Sequence, residues 1–291
     1  VAQAIPTAST APCPACAGTS FTKRFEKKGR HFWRCATCGL ERIDPPPTLA
    51  ELEAYYNQSY ESGLYKLFLQ EDKMKQLTAE HRLNDIRQYA GPGRWLDLGC
   101  ANGVLVEAAR KAGFDAEGID LSSVAVENGR SKGLPLHVST VEDWNPGYQY
   151  QTITGFDILE HVLDPLGFTQ HIQRLLAPGG VVILAVPDTA SVFARLMGKG
   201  WWFYIPEEHL TYFHPASIER LYRRIGLEPL RTAWATKPLT LAYGLTQFEE
   251  YNPLIYKTLK TVSRILPGAV MNAIIPFYIG EMKAIARAPH N

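Results

Sequence analysis

The stretch Arg94–Gly103, RWLDLGCANG, constrains this chain more than any other, because a short apolar run meets two glycines and then a helical pattern. Trp95, Leu96 and Leu98 read as a buried strand, Gly99 and Gly103 bracket a turn, and Val104–Ala112 carries apolar residues at helical spacing. Such a strand, loop and helix form a nucleotide-type site: the glycines let the backbone approach a ligand, and the first helical turn offers N–H groups without intrahelical partners. The following segments repeat the alternation. Strand Asp115–Asp120, helix Ser122–Lys132, strand Leu136–Ser139, strand Gln151–Gly155, helix Phe168–Leu176 and strand Val181–Val186 predict a doubly wound, mostly parallel α/β sheet. Leu227–Ala235 and Gly280–Ala288 bring the count to seven strands as a hairpin-like pair. Between them, 236–279 is too long for a turn and reads as an inserted helical cap.

The charges around the loop select the ligand. Asp97 closes the first strand, where a pyrophosphate would be repelled and a cation attracted. Asp120 closes the second, seventeen positions after Gly103, where a carboxylate can take ribose hydroxyls. S-adenosylmethionine, with a ribose, a sulfonium and an ammonium but no phosphate, fits both. WLDLGCANG, EGIDLS, LEHVLDP and LAPGGVVILAVP resemble, in order, the successive motifs of class I S-adenosylmethionine-dependent methyltransferases, and the resemblance runs from about Leu49 to the C-terminus. It implies a Rossmann-like methyltransferase fold with cofactor contacts at Asp97, Gly99, Cys100, Ala101, Gly103, Asp120, Leu121, Val141, Glu142 and Phe156. Ala101 stands where the family commonly has glycine, and a solvent-facing turn is the other reading of Glu142–Asp143.

Aligning Glu160-His161-Val162 with the same triplet of the family makes Gln151–Gly155 the fourth strand and leaves Asp157, Glu160 and His161 at its carboxyl end. Ligands bind at that edge of open α/β sheets. Three roles stay open. His161 is a general base on an acceptor hydroxyl; or Asp157, Glu160 and His161 hold a divalent cation, as the resemblance to quinone-biosynthesis O-methyltransferases implies; or Asp157 caps a helix and His161 packs. Farther on, GKGWWFYIPEEHLTYFHP resembles the substrate-side insertion of a methyltransferase subgroup, with His209, Tyr212 and His214 as polar groups and Trp201, Trp202 and Phe203 as walls. His209 is the substrate-facing candidate there.

A second strong pattern precedes the core. Cys13-x-x-Cys16 and Cys35-x-x-Cys38 lie eighteen residues apart, the spacing of a zinc ribbon in which a hairpin brings two thiolate pairs into a closed, structural site. Phe21, Phe25, Phe32 and Trp33 are its packing residues, and the interspersed Lys and Arg are either a solvated face or a nucleic-acid patch. The organisation is therefore 1–48, a disordered lead and the ribbon; 49–90, a helical lead-in over the cofactor with Tyr60 or Tyr65 facing the site; and 91–291, the methyltransferase domain with its cap at 236–279.

A net charge of +1 gives no reason to expect a polyanionic partner. The most apolar late segment, Ile265–Gly280, is broken by prolines and too short to span a bilayer, and no signal peptide is evident, so the reading is a cytoplasmic enzyme. Its expected partner is a small-molecule methyl acceptor (sugar, quinone or secondary metabolite), with the cap either roofing the acceptor or forming an oligomer surface. The alternatives are a zinc-ribbon RNA methyltransferase and a catalytically idle S-adenosylmethionine-binding protein.

Overall fold

The computed structural model describes residues 11–48, 50–51, 73–242, 256–257, 260–261, 263 and 266–290. The lead 1–10, Tyr60 and Tyr65 of the lead-in, and residues 243–255, 258–259, 262 and 264–265 of the expected cap lie outside the described residues.

The chain begins with β1 (Phe21–Lys27) and β2 (Arg30–Cys35), an antiparallel hairpin. Its two turn residues, Lys28 and Gly29, both have positive φ (49° and 74°), the conformation that matches the twist of tight hairpins. β3 (Glu41–Asp44) pairs with β2, and the two cysteine turns face each other across the hairpin base. Helix α1 (Lys73–Arg87) follows and buries Ala79, Leu83 and Ile86, one stripe at helical spacing.

The core then alternates as the periodicity requires: β4 (Arg94–Leu98), α2 (Val104–Lys111), β5 (Asp115–Asp120), α3 (Ser123–Arg130), β6 (Leu136–Val138), β7 (Tyr150–Phe156), a single 3-10 turn Leu159–His161, α4 (Pro165–Leu175) and β8 (Leu176–Pro187). Ser122 caps α3 by accepting the Ala125 N–H, and Asp164 caps α4 through Gly167. Pro178–Gly180, between the expected helix and strand, belongs to the start of β8, because the Gly179 N–H finds Pro289 O and the Gly180 carbonyl takes the Ala288 N–H. After β8 come α5 (Val192–Met197), the short β9 (Thr211–Tyr212), α6 (Pro215–Arg224), β10 (Glu228–Thr240), α7 (Gly268–Met271) and β11 (Ile274–Arg287).

Seven strands form one sheet in the order β10-β11-β8-β7-β4-β5-β6, with β11 the antiparallel member. The order reverses at β4, whose neighbours are β5 and β7, so a crevice opens at the carboxyl ends of β4 and β7. α1 and α2 cover one face over Trp95, Val181, Ile183 and Ile285; Ile172 of α4 and Ile218 and Leu221 of α6 belong to the core over Leu96, Ile153, Leu184 and Ala284. The last hairpin outruns expectation: β10 reaches Thr240 and β11 starts at Ile274, so residues placed at the edges of a helical cap, Lys237 among them, are strand residues.

The ribbon is not an appendage. β3 pairs with β9, joining it to the catalytic domain in a four-stranded sheet β1-β2-β3-β9. Cys13, Ala15, Cys35, Cys38 and Leu40 share a core with Phe213, Ile218 and Leu221, and Arg224 of α6 donates to the carbonyls of Cys13 and Pro14 at 3.0 and 2.7 Å. The boundary near residue 48 is thus a boundary in the chain and not in the packing. None of the described helices is long and apolar enough to cross a membrane.

Candidate functional site

The loop after β4 has the backbone its glycines promise. Gly99 and Gly103 have φ of 66° and 80°, and Ala101 between them sits at 48°, a left-handed conformation that costs a residue bearing a Cβ about 1–2 kcal/mol. Two contacts hold it there: Ala101 N–H donates to Asp120 Oδ2 and Ser122 N–H to Asp120 Oδ1, each at 2.8 Å. Asp120 therefore ties the loop to the end of β5 while each oxygen keeps a further lone pair. Leu121 beside it is 73% exposed, an apolar side chain left open next to the Asp120 carboxylate. Gly99 also has a packing duty, because a Cβ there would meet Ile158 Cγ2 at 2.6 Å.

Asp97 is buried at the end of β4, where Trp95 Nε1 donates to Thr154 Oγ1 and Thr154 donates to Asp97 Oδ1 at 2.7 Å. Burial pushes its carboxyl up to about 7, against the opposing effect of the Thr154 hydrogen bond. Cys100 is buried, and burial drives its thiol far above the usual range, which rules out a thiolate role. Val141 is a core residue and Glu142 an exposed one, so only a ligand reaching over the turn would meet Glu142.

At the end of β7 the structure rearranges the expected set. Asp157 has a left-handed φ of 59° and does not join Glu160 and His161; its Oδ2 takes Arg82 Nη2 at 3.0 Å and Lys237 Nζ at 3.2 Å. Surrounding protein pushes its carboxyl up, but the Lys237 and Arg82 cations outweigh that and hold it well below the usual range. Asp157 is a charged anchor and not a helix cap, and it acts on His161 through its charge. Arg82 also lies over the Phe156 ring at 4.0 Å, so Phe156 walls a cleft with Ile86, Ile183, Ala185 and Lys237. Lys237 continues to Glu281 Oε1 at 2.7 Å.

The place expected for Asp157 is taken by His209. Potential ligand atoms of Glu160, His161 and His209 lie within 4.8 Å of one another, and the two imidazoles meet edge to face with centroids 4.7 Å apart. His161 Nδ1 lies 3.1 Å from Glu208 O and His209 Nδ1 2.8 Å from Phe203 O. A nitrogen facing a carbonyl must carry the proton, so both Nε2 atoms are left as lone-pair donors. Burial lowers the His161 pKa and, with the neighbouring His161, brings that of His209 down to about 3. Glu160 is 1% exposed, its Oε2 has no hydrogen-bond partner among the described residues, and burial followed by Asp157 raises its carboxyl well above the ordinary value. One carboxylate and two imidazoles, each oriented and one unsatisfied, form a donor set suited to a divalent cation or to proton transfer.

Other polar candidates have structural roles. His214 caps α6 by accepting the Ala216 N–H, and Tyr212 is buried in β9 opposite Glu41. Trp201, expected as a pocket wall, packs on Tyr204 in the ribbon interface. In the ribbon, Cys13 and Cys38 Sγ are 3.5 Å apart and Cys16 and Cys35 Sγ 3.6 Å, and all four sulfurs lie within 4.8 Å. These spacings exceed a disulfide bond and approach the edge of about 3.8 Å of a tetrahedron with ~2.3 Å zinc–sulfur bonds, so the geometry is compatible with zinc. Arg82, Thr154, Lys237 and Glu281 went unnoticed in the sequence; the alternation of Glu281, Lys283 and Ile285 was the signal available for Glu281.

Comparison with known proteins bears on what this edge does. Residues 72–232 match the family described as a methyltransferase domain, more than half of the chain. The ubiquinone biosynthesis O-methyltransferase of Thiobacillus denitrificans is 30% identical over 182 residues, covering 55% of this chain and 75% of the relative. That of Bordetella avium is also 30% identical, over 60% of this chain and 80% of its own. A crystal structure of a SAM-dependent methyltransferase from Archaeoglobus fulgidus superimposes with a TM-score of 0.51 at 18% identity, over 77% of this chain and 99% of that one, a likeness of fold.

Proposed function

The chain belongs to the class I S-adenosylmethionine-dependent methyltransferases, and from that premise we propose that it methylates the oxygen of a phenolic hydroxyl on a small aromatic acceptor. The observation that carries the reading is the meeting of Glu160, His161 and His209 at the carboxyl edge of the sheet, one strand from the Asp97–Gly103 loop. An amine acceptor brings its own lone pair once neutral. A phenol, with a pKa of about 10, needs its proton removed or its oxygen polarised, and this cluster is equipped to do either. Relatives named O-methyltransferases agree with an oxygen acceptor.

S-adenosylmethionine supplies a methyl group on a sulfonium. The chain supplies position and proton handling. Asp120 offers its remaining lone pairs to ribose hydroxyls, Leu121 an apolar surface to the adenine, and Asp97 a carboxylate near the cationic end. Orientation of this kind contributes about 7–11 kcal/mol, and a positioned base about 10²- to 10⁴-fold in rate. Glu160, His161 and His209 would hold a divalent cation, whose chemistry would be to acidify a bound hydroxyl. A second reading, His161 as a direct base, has its own support in the Nδ1 bond to Glu208 O, which leaves Nε2 free to take a proton. The Cys13, Cys16, Cys35 and Cys38 cluster would hold zinc with no open position and so with a structural role. An RNA-reading role for the ribbon has less support, because Arg24, Arg34, Arg30 and Lys28 are paired with Glu41, Glu51 and Glu207.

The test is methyl transfer from S-adenosylmethionine to catechol and a panel of simple phenols, followed by mass, together with metal analysis. The expected result is monomethylated phenol from the wild type, with S-adenosylhomocysteine binding retained and turnover reduced about 10²- to 10⁴-fold in His161→Ala. Loss of one metal equivalent in His209→Ala with retention of the cysteine-bound one supports the cation; unchanged metal content with loss of the alkaline rate limb in His161→Ala supports the direct base. No methylation of any phenol, with transfer to amines instead, would overturn the proposal.

A further inference from the structure

We propose that the ribbon braces the reaction site and that the buried Glu41 is the positioning residue through which it acts. This rests on reading Glu160, His161 and His209 as the reaction centre. The segment 201–213, which carries His209, contains little regular structure beyond the two residues of β9, so its place is set by what grips it. On one side the Ile43 N–H of β3 donates to Leu210 O at 3.3 Å, and β3 pairs Glu41 with Tyr212 and Arg42 with Thr211. On the other side the Leu210 N–H donates to Glu160 O at 2.8 Å. One peptide neighbour of His209 thus bridges the ribbon strand to the turn bearing Glu160 and His161.

The grip is locked by charge. Glu41 is fully buried, accepts from Arg24 Nη1 at 2.5 Å and from the Tyr204 hydroxyl at 2.8 Å, and forms an ion pair with Arg34 Nε at 3.0 Å. Two of these partners come from the ribbon hairpin and the third from the His209 segment, so a single carboxylate pins one to the other. Around it Tyr204 meets Phe32, Trp201 and Tyr212 at centroid distances of 5.1, 5.0 and 5.0 Å. A contact serving stability alone has no need of a buried carboxylate, since apolar replacements of buried ion pairs are often as stable; its use here is to fix one register between β3 and β9. A displacement of about 1 Å at a reacting group is enough to cost roughly 10²-fold in rate.

The experiment uses the full chain with metal bound, as Glu41→Gln and as Tyr204→Phe, which removes one hydroxyl and keeps the ring. Three quantities are followed: hydrogen exchange by segment, S-adenosylhomocysteine affinity by calorimetry, and kcat and KM with catechol. Expected are exchange at least tenfold faster in 201–213 and 158–162, unaltered exchange in 94–111, cofactor affinity within twofold, and kcat lowered about 10- to 100-fold without a matching change in KM for S-adenosylmethionine. Should Glu41→Gln fail to fold, Tyr204→Phe decides with the same pattern at smaller amplitude. Faster exchange throughout, faster exchange confined to 11–44, or local loosening with unchanged kcat would each overturn the proposal. A wild type that methylates no phenol defeats the proposed function, while the exchange pattern still judges the coupling.

Discussion

Replacing Asp120 by Asn separates the loop-holding role the structure shows from the ribose-binding role proposed for it. Its Oδ1 and Oδ2 accept the Ser122 and Ala101 N–H groups at 2.8 Å, and each keeps a further lone pair for the proposed ligand. Asparagine keeps one oxygen but turns an NH₂ toward one of the two N–H donors, so at least one charge-assisted bond, worth about 1.5–3 kcal/mol, becomes a donor–donor contact. Part of that loss falls on the loop, since Ala101 no longer has the bond that holds it at φ 48°. The rest falls on the ligand. With half of the loss structural and 1.4 kcal/mol per factor of ten, S-adenosylhomocysteine affinity should drop about 3- to 12-fold and the melting temperature of the free enzyme should fall by roughly 2–6 °C. Calorimetric titration and differential scanning calorimetry on one preparation separate the two shares. Affinity within twofold of wild type would remove Asp120 from the binding site, and an unchanged melting temperature would show that the loop does not depend on it.

Ala101→Gly should relieve the left-handed strain of about 1–2 kcal/mol at a cost of about 0.5–1 kcal/mol in unfolded-chain entropy, a net gain near 0.5–1 kcal/mol readable by urea denaturation; a loss of stability would show that Ala101 packs in a way glycine cannot replace. Asp97, raised to about 7 by burial, stays protonated in the native state at pH values where the unfolded chain has lost that proton, so this group's contribution to stability declines from about pH 4 to pH 7. A cationic ligand favours its ionised form: S-adenosylmethionine affinity should therefore rise by up to about tenfold per pH unit toward 7 and level off above, with proton release on binding. Asp97→Asn should flatten that profile, and a wild-type profile already flat from pH 5.5 to 8 would refute the assignment.

What the sequence revealed and what it hid divide along a physical line. The strand, loop and helix at β4, the seven-stranded sheet and the cysteine knuckles follow from local signals: apolar periodicity, glycines that end at φ of 66° and 80°, and a Cys spacing that closes on itself. The candidate site was legible only in part. Glu160 and His161 were found because they lie in one short turn, whereas His209 reaches them from a segment 48 positions away, a neighbour only the tertiary fold creates. Asp157 misled for the same reason: its spacing to Glu160 fits a shared site, but its left-handed φ and the two cations from α1 and β10 draw it elsewhere. Lys237 was hidden because its stretch was assigned to a helical cap, when in fact the strand runs on to Thr240.

The fate of the acids at this edge shows why the arrangement needs both cations. Asp97, Asp157, Glu160 and Glu281 gather around Arg82 and Lys237, four carboxyl groups against two positive charges. If all four were ionised the edge would carry excess negative charge in a poorly solvated place, which burial does not permit. The structure resolves the conflict by geometry. Asp157, the one acid that both cations touch, keeps its charge; Glu281, in contact with Lys237 alone, is raised by burial and by Asp157; and Glu160, in contact with neither, is raised well above its ordinary value by burial and then by Asp157. Arg82 and Lys237 are thus engaged by Asp157 and Glu281, and Glu160 is left to burial, which favours its protonated form. The same pairing fixes Arg82 over Phe156 and ties α1 to β10 across the cleft, so the electrostatic solution at one carboxylate also sets the walls of that cleft.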